Sequence, residues 1–224
     1  TIEFDKTYKV ILTTVNGHKY TKKIIEKSEE TIMNAEQLAS FRDKVNSGLT
    51  YEGKTVKLGA DIDLSTVCGA NVNGKEVSWE PIGKYISDTE YKRFNGVFDG
   101  NYHKIENLYI NTSENYQGLF GKTQNITIKN IQLKNANIAS INGERIGGVI
   151  GNAEGTKVNN CMVNGTIKGC YLVGGIIGYA DNKANIEKCY NSATIEDFHD
   201  TSRNVGCLGG ITGSVAKETE IRNC

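Results

Sequence analysis

The pentapeptide GGIIG occupies residues 174–178, and close variants of it occur three more times in the chain. The variants are GLFG at 118–121, GGVIG at 147–151 and GGITG at 209–213. Their final glycines recur at intervals of 30, 27 and 35 residues, and an Asn or Lys followed by Ile or Cys lies 9 or 10 residues after each of them. Two markers in phase over four units predict a repeat architecture, since periods of roughly 20–50 residues are typical of solenoids, propellers and arrays.

The segments after the second marker alternate in polarity: IQLKNANI at 131–138, CMVNGTIK at 161–168 and CYNSATIE at 189–196. Alternation is the period of a strand rather than a helix. Three short strands per unit fit one coil of a parallel β-helix, whereas a propeller blade needs four strands over about 40–45 residues. We therefore predict an all-β fold, a right-handed parallel β-helix, with the handedness set by the crossover rule.

The pentad glycines suit such a fold for two reasons. Glycine accepts a positive φ at a corner, and its lack of a side chain lets successive coils approach closely. We expect the apolar centres of the pentads to face the interior, and the asparagines of the second marker to stack as a ladder at a turn. The pentad is thus predicted to be structural, because neither phosphate-binding pattern, GxGxxG or GxxxxGK[ST], is completed.

The residues before the repeats predict a cap. Asn34 as N-cap, Gln37 three residues later and Gly48 as a stop signal delimit a helix at 35–46. Such a helix would cover the open edge of the first coil. A β-hairpin with an Asn-Gly type I′ turn at 15–18 is predicted within residues 1–30. The predicted domains are therefore a hairpin or tail of a preceding module at 1–30, a capping helix at 31–48 and a β-helix at 49–224, truncated at its C-terminus.

The string L…ADIDLS…WEPIG…FNGVFDGNYHKIENLYI…GLFG resembles the bacterial GLUG-motif repeat family over residues 31–224. The resemblance implies a parallel β-helix in a secreted or surface-attached protein, as in adhesin-like proteins and the upstream regions of immunoglobulin A metalloproteases. It implies no catalytic residue and names no ligand.

Composition excludes several classes of partner. The formal net charge is zero, with 26 basic and 26 acidic residues, so we expect no nucleic acid partner. Apolar runs are too short to span a membrane. We expect a monomeric module of a longer chain, without metal or cofactor. The metalloprotease pattern HExxH does not occur, and the repeated cysteines Cys161, Cys189 and Cys224 are predicted to form a buried thiol ladder in place of Ile131.

Many β-helices are lyases or hydrolases, and their sites use acidic clusters. Asp61 and Asp63 share one strand face, and Asp99 lies in FDGN. Paired carboxylates serve acid–base chemistry or bind Ca²⁺. The alternative is that Asp61 and Asp63 form the solvated face of a strand whose inner face is Ile62 and Leu64, and that Asp99 begins a turn. We favour the alternative and expect no catalytic residue.

Aromatic side chains offer a different kind of site. Exposed aromatic rings stack on sugars and mark binding surfaces. Five tyrosines near Trp79 are candidates: Tyr85, Tyr91, Tyr102, Tyr109 and Tyr116. The longest repeat interval carries an insertion at 196–204, and insertions in repeats often lie on the binding face, so His199 and Arg203 are further candidates.

The sequence predicts a non-catalytic structural or adhesive module of a secreted or cell-surface bacterial protein, binding a host protein or glycan. Two alternatives stay open: a carbohydrate-active β-helix enzyme, and a non-catalytic region of a large secreted protease.

Overall fold

The computed structural model describes residues 7–25, 29–87, 89–198 and 206–224. Its main body is a β-solenoid of about six turns, built from four stacks of parallel strands that we call sheets A to D. Sheet A contains Glu29–Ile32, Thr55–Leu58, Val97–Asp99, Thr127–Lys129, Lys157–Asn159, Asn185–Glu187 and Glu220–Arg222. Sheet B contains Ile62–Asp63, Lys104–Glu106, Tyr109–Thr112, Gln132–Ser140, Met162–Gly169, Tyr190–Asn191 and Thr194–Asp197. The predicted all-β parallel solenoid is confirmed.

Sheets C and D are shorter. Sheet C contains Phe120–Gln124, Ile150–Glu154, Ile177–Asp181 and Thr212–Val215, and sheet D contains Glu144–Gly147, Tyr171–Gly174 and Leu208–Gly209. Three antiparallel hairpins accompany them: Thr7–Thr13 with Lys19–Ile25, Gly69–Val72 with Lys75–Val77, and Tyr85–Ser87 with Glu90–Tyr91. A complete coil therefore runs through four strands, in the order A, B, D and C, rather than the three predicted.

Apolar side chains stack in register through the interior. In sheet A the buried ladder consists of Val56, Phe98, Ile128, Val158 and Ile186, and it continues in register to Ile221, which is 41% exposed on the last strand. In sheet B a second ladder consists of Ile110, Ile138, Ile167 and Ile195. The alternation read in the sequence thus places one face of each strand inside, as the period of a strand requires.

The pentad forms the bend between sheets D and C. In the second unit, Glu144–Gly147 ends on the first glycine and Ile150–Glu154 begins near the last, so the pentad joins two strands and is not one strand itself. The apolar centres of the first three pentads, at 119–120, 149–150 and 176–177, are fully buried, as predicted. The wall of the solenoid therefore folds inward at every pentad.

The helix spans Ala35–Asn46, as predicted. The Asn34 side chain accepts a hydrogen bond from the Gln37 amide at 2.9 Å, and Gln37 Oε1 accepts one from the Met33 amide at 2.7 Å. The buried face consists of Ala35, Leu38, Phe41 and Val45. The strand Glu29–Ile32 precedes the helix in the chain and pairs with Thr55–Leu58, which follows it. Sheet A therefore includes strands from before and after the helix. The division into three domains stays a prediction.

The predicted N-terminal hairpin is present, but its turn is not type I′. Of residues 14–18, Gly17 is the one with positive φ, at 79°, and its amide donates to the Thr14 carbonyl at 2.9 Å. One left-handed glycine at the end of the turn is the pattern of a type I turn followed by a bulge. In the part of the chain that the structure describes, no helix has the length and apolar character needed to span a bilayer.

Candidate functional site

The final glycine of each pentad lies against the backbone of a corner residue. A Cβ on Gly151 would lie 2.7 Å from Tyr116 Cα, one on Gly178 would collide with Arg145, and one on Gly213 would lie 2.5 Å from the Leu172 carbonyl carbon. None of these glycines has a positive φ, so that part of the prediction is wrong. The other part of the prediction was the close approach of successive coils, and this contact is the physical reason for the glycine.

The corner residues carry the positive φ instead. Tyr116, Arg145 and Leu172 have φ of 60°, 65° and 55° and follow one another on successive coils. Each stands two residues before the first glycine of its pentad. The inward bend places this corner column against the start of sheet C on the following coil, where Gly151 meets Tyr116 and Gly178 meets Arg145. We call the concave line between the column and sheet C the groove.

A cavity of about 510 Å³ adjoins the start of this groove. It is lined by twelve residues: Ser78, Trp79, Glu80, Pro81, Lys84, Tyr85, Ile86, Thr112, Glu114, Asn115, Tyr116 and Gln117. Trp79 is only 1% exposed, and its Nε1 donates to the Leu119 carbonyl at 3.3 Å. The indole is therefore part of the buried wall of the cavity. The accessible apolar surface of the cavity comes from the half-buried Tyr85 and the exposed Ile86.

Aromatic and cationic groups continue from the cavity along the groove. The Tyr85 and Tyr116 rings stack with centroids 4.2 Å apart. Arg145 Nη1 donates to Tyr116 Oη at 2.7 Å, and its guanidinium carbon lies 5.0 Å from the ring centroids of both Tyr116 and Tyr179. These four residues, Tyr85, Tyr116, Arg145 and Tyr179, form a contiguous row over four successive coils, which we call the aromatic row.

The structure brings together three of the five predicted tyrosines. Tyr91 pairs with Tyr85 in a hairpin, and its hydroxyl donates to Gln124 Oε1 at 2.8 Å on sheet C. Tyr102 is 64% exposed at the turn between sheets A and B. Tyr109 lies on sheet B, where its hydroxyl donates to Glu76 Oε1 at 2.6 Å, a contact that raises the pKa of Tyr109. Tyr102 and Tyr109 therefore do not line the cavity.

The predicted acidic candidates are held by structural hydrogen bonds. Asp61 accepts from the Lys104 amide at 3.0 Å and from His103 at 3.1 Å, and these contacts lower the pKa of Asp61. Asp63 accepts from Asn107 at 2.8 Å and from the Ser65 amide, which lower the pKa of Asp63. A general acid needs a raised pKa, so neither suits that role. Both face outward, whereas Ile62 and Leu64 are buried.

Asp99 is likewise engaged in a turn. Partial burial by itself would raise the pKa of Asp99, but hydrogen bonds from Asn130 at 2.9 Å and from the Asn101 amide at 2.8 Å, with the Lys129 charge at 3.1 Å, lower it overall. Among the described residues, no group of three His, Cys, Asp or Glu side chains is placed to hold a metal ion.

The cavity has two carboxylates of its own. Burial alone would raise the pKa of Glu80, but the hydrogen bond from Lys84 and its charge lower it overall. Glu114 also lines the cavity and is exposed. Ionised carboxylates accept hydrogen bonds from hydroxyl groups, so this lining offers acceptors beside an aromatic surface.

The asparagine ladder predicted from the second marker is present between Asn130 and Asn160, whereas the predicted buried thiol ladder extends only to Cys189. Asn160 Nδ2 donates to Asn130 Oδ1 at 3.0 Å, and both residues have positive φ. Cys161 and Cys189 are buried and Cys224 is exposed, all three as free thiols. These positions explain the second marker as part of the scaffold. His199 and Arg203 lie outside the described residues.

Two members of the aromatic row, Arg145 and Tyr179, were not predicted. Aligning the pentads would have found them, since Arg145 occupies the position of Tyr116 in the next unit. Tyr179 directly follows its final glycine, as Lys122 and Asn152 do in earlier units. Composition around either residue carries no signal, because the contact exists only between coils.

The comparisons with known proteins agree with this coil geometry. Residues 142–168 and 169–196 match the family described as the GLUG motif, and each range covers one coil starting near sheet D. No solved structure matches the chain significantly.

Three relatives are much longer than the matched segment. Halomucin of Haloquadratum walsbyi is 33% identical over 138 residues, which are 60% of this chain and 1% of halomucin. Immunoglobulin A1 protease of Streptococcus pneumoniae is 32% identical over 156 residues, 66% of this chain and 8% of that protein. Immunoglobulin A1 protease of Streptococcus sanguinis is 24% identical over 240 residues, 91% of this chain and 12% of that protein. Residues 142–168 and 169–196 therefore carry two copies of the GLUG motif that the sequence resembles.

Proposed function

We propose that this chain is a non-catalytic binding module of a secreted or cell-surface protein, and that it binds a saccharide in the cavity beside Tyr85. The observation that carries the proposal is the cavity itself, where a half-buried tyrosine ring stands beside hydrogen-bond acceptors. Sugar rings present one apolar face and a rim of hydroxyl groups. An aromatic surface flanked by a few placed polar groups is the kind of site that recognises such a ligand.

The relatives support the extracellular part of the proposal. The matched segment is at most 12% of each relative, so in those proteins it is a small module of a large chain. One relative is named as a mucin and the others as proteases of immunoglobulin A1, and both substances are found outside cells. We extend this setting to the present chain as part of the proposal.

The scaffold supports binding rather than catalysis. Asp61, Asp63 and Asp99 lie on strand ends and turns of sheets A and B, and each has a lowered pKa. Glu80, in the cavity, also has a lowered pKa. A glycosidase needs one carboxyl group kept protonated to donate to the leaving oxygen, and none of these four groups is set up for that role.

The test is a glycan array probed with the whole chain, followed by calorimetric titration of the best saccharide. We expect Tyr85→Ala to weaken binding at least tenfold, because the accessible ring of the cavity is lost. The matched control is Tyr190→Ala, which removes a 57% exposed ring from sheet B. Equal binding by both variants would place the site elsewhere.

Release of reducing or unsaturated ends should be followed in the same samples. Binding without product supports a module that only binds. Product formed by the chain would contradict the non-catalytic proposal and favour the carbohydrate-active alternative. A chain that binds no saccharide on the array would contradict the proposal and leave a spacer role.

A further inference from the structure

Arg145 is oriented by its neighbours without being neutralised by them. Its Nη1 donates to Tyr116 Oη at 2.7 Å, and its guanidinium stands 5.0 Å from two tyrosine ring centroids. Its Nε is buried and has no hydrogen-bond partner among the described residues. A guanidinium carries five donors in a planar fork. Because Nε is closed to solvent, the Nη atoms are the donors of Arg145 that a ligand would contact.

The carboxylates nearest to this part of sheet C are engaged elsewhere. Glu154 accepts from Lys122 Nζ at 3.0 Å, from Gln124 at 3.3 Å and from Asn152 at 3.3 Å. Asp181 accepts from the Asn182 amide at 2.6 Å and lies 4.0 Å from Lys217 Nζ. Arg145 makes no ion pair within the described part of the chain, so its positive charge has no protein carboxylate as a partner.

A second unsatisfied polar atom lies in the same groove. Asn152 is 1% exposed, pairs in register with Tyr179, and its Oδ1 has no hydrogen-bond partner among the described residues. A buried polar group without a partner destabilises the free protein, and such exceptions in a folded chain often mark a place for a missing ligand or water. A donor on Arg145 and an acceptor on Asn152 both flank the Tyr179 ring.

The groove is continuous with the cavity through Tyr116. That ring lines the cavity and stacks on Tyr85, while its hydroxyl contacts Arg145 on the next coil. Successive coils are separated by the strand spacing of about 4.8 Å, which is close to the length of one sugar residue. A saccharide running along the solenoid would therefore place neighbouring sugars in the cavity and beside Arg145.

We propose that Arg145 binds the carboxylate of an acidic sugar residue, in a saccharide whose neighbouring neutral residue lies against Tyr85. This inference rests on the proposed saccharide-binding function. Arg and carboxylate form paired, charge-assisted hydrogen bonds that a neutral sugar cannot reproduce. The cavity lining carries two carboxylates, Glu80 and Glu114, against one cation, Lys84, which is paired with Glu80. This excess of negative charge assigns the acidic residue to the Arg145 end.

The test uses two oligosaccharides that differ only in charge: one with alternating neutral and uronic acid residues, and its carboxyl-reduced counterpart. Calorimetric titration of the whole chain at low salt should show at least a tenfold preference for the acidic form. Arg145→Gln should bring the ratio of the two affinities close to one, and this ratio is the readout, because Arg145 also positions the Tyr116 ring of the cavity. The preference of the wild-type chain should also fall as salt is added, since ions screen a partly exposed pair.

Two variants keep the test interpretable. Arg222→Gln removes an exposed guanidinium that pairs with Glu220 in the last strand of sheet A, and it should behave as the wild type. Arg145→Lys keeps the charge but loses the planar fork, and it should retain part of the preference if Arg145→Gln fails to fold. Circular dichroism and thermal unfolding verify the fold of each variant.

The outcomes separate the two proposals. Equal binding of both oligosaccharides by the wild type would overturn the role of Arg145 and leave the saccharide-binding function standing. Binding of neither would overturn both. A sulfated oligosaccharide that binds as tightly as the uronic acid form would overturn the assignment to a carboxylate.

Discussion

The N-terminal coils, before residue 124, and the coils after it are stabilised in different ways. We call the later coils the GLUG coils, because the two GLUG matches at 142–168 and 169–196 lie among them. Before residue 124 the interior is aromatic: the Phe41 ring lies 5.0 Å from Tyr51, 5.4 Å from Phe94 and 5.9 Å from Phe98, and Phe98 lies 5.2 Å from Phe120. After residue 124 the fully buried side chains are not aromatic and are mostly Ile, Val, Ala and Cys. There the distinguishing contact is backbone against backbone, at the final glycine of each pentad.

This contrast follows from what each region has to bury. An end coil must be closed by something other than another coil, and a helix leaves a gap that large rings fill. An inner coil meets nearly identical neighbours on both sides, so the best contact is the closest one that repeats. Side-chain volume should therefore dominate stability at the cap, and the absence of a Cβ should dominate it in the GLUG coils.

The largest effect is expected at the cap. Phe41→Ala removes a fully buried ring that contacts three others, and a Phe→Ala change in a core costs about 3–5 kcal/mol. Urea unfolding followed by Trp79 fluorescence measures the loss. Leu49→Ala is the control, because Leu49 is 52% exposed. A loss below about 1 kcal/mol would mean that the helix is dispensable for the solenoid.

The next effect tests the pentad. Gly178→Ala places a Cβ against the carbonyl carbon of Arg145 and the backbone nitrogen of Ile146. Both are backbone atoms held in a strand, so neither can move aside easily. Overpacking of this kind costs about 1–3 kcal/mol. Gly210→Ala is a matched control within another pentad, since a Cβ there meets nothing within 4 Å and its φ is not positive.

The same urea titration compares the two glycine variants. Gly210→Ala should stay within about 0.5 kcal/mol of the wild type. Equal destabilisation by both would show that the glycines serve the flexibility of the chain instead of the contact between coils.

Much of the solenoid was predictable because equivalent positions in successive repeats must satisfy the same packing requirement. The buried pentad centres, the asparagine ladder and the helix at 35–46 each follow from a local rule that the neighbouring units or caps reinforce. The glycine conformation was predicted wrongly because a positive φ and a close approach of the backbone both select glycine. The sequence alone does not distinguish these two reasons. The structure separates them, since the positive φ belongs to Tyr116, Arg145 and Leu172.

The candidate site was harder to predict because it occurs once. Tyr85 and Tyr116 were noticed as members of an aromatic cluster, but Tyr102 and Tyr109, from the same cluster, lie elsewhere on the solenoid. Proximity along the chain does not give proximity in space when a coil carries a residue around four sheets. Arg145 and Tyr179 join the row through stacking between coils, which only the register of the repeats reveals.

The smallest effect is expected at the seam between the two regions, where the asparagine ladder of the GLUG coils ends on Asp99. Asn130 donates to this carboxylate at 2.9 Å, and Lys129 lies 3.1 Å from it. Asp99→Asn should lower the free energy of unfolding at pH 7 by about 1 kcal/mol, the net worth of a typical hydrogen bond.

The pH dependence gives this prediction its sign. The pKa of Asp99 is lowered in the folded chain, so its ionised form adds stability above the ordinary aspartate pKa of about 3.9, and that stability is lost as the pH falls below it. The difference between wild type and Asp99→Asn in urea titrations should therefore shrink between pH 7 and pH 3. Asp43→Asn, on the exposed face of the helix, controls for a general loss of charge. A difference that stays constant over this range would mean that Asp99 contributes through its shape alone, and that the seam is held by packing on both sides.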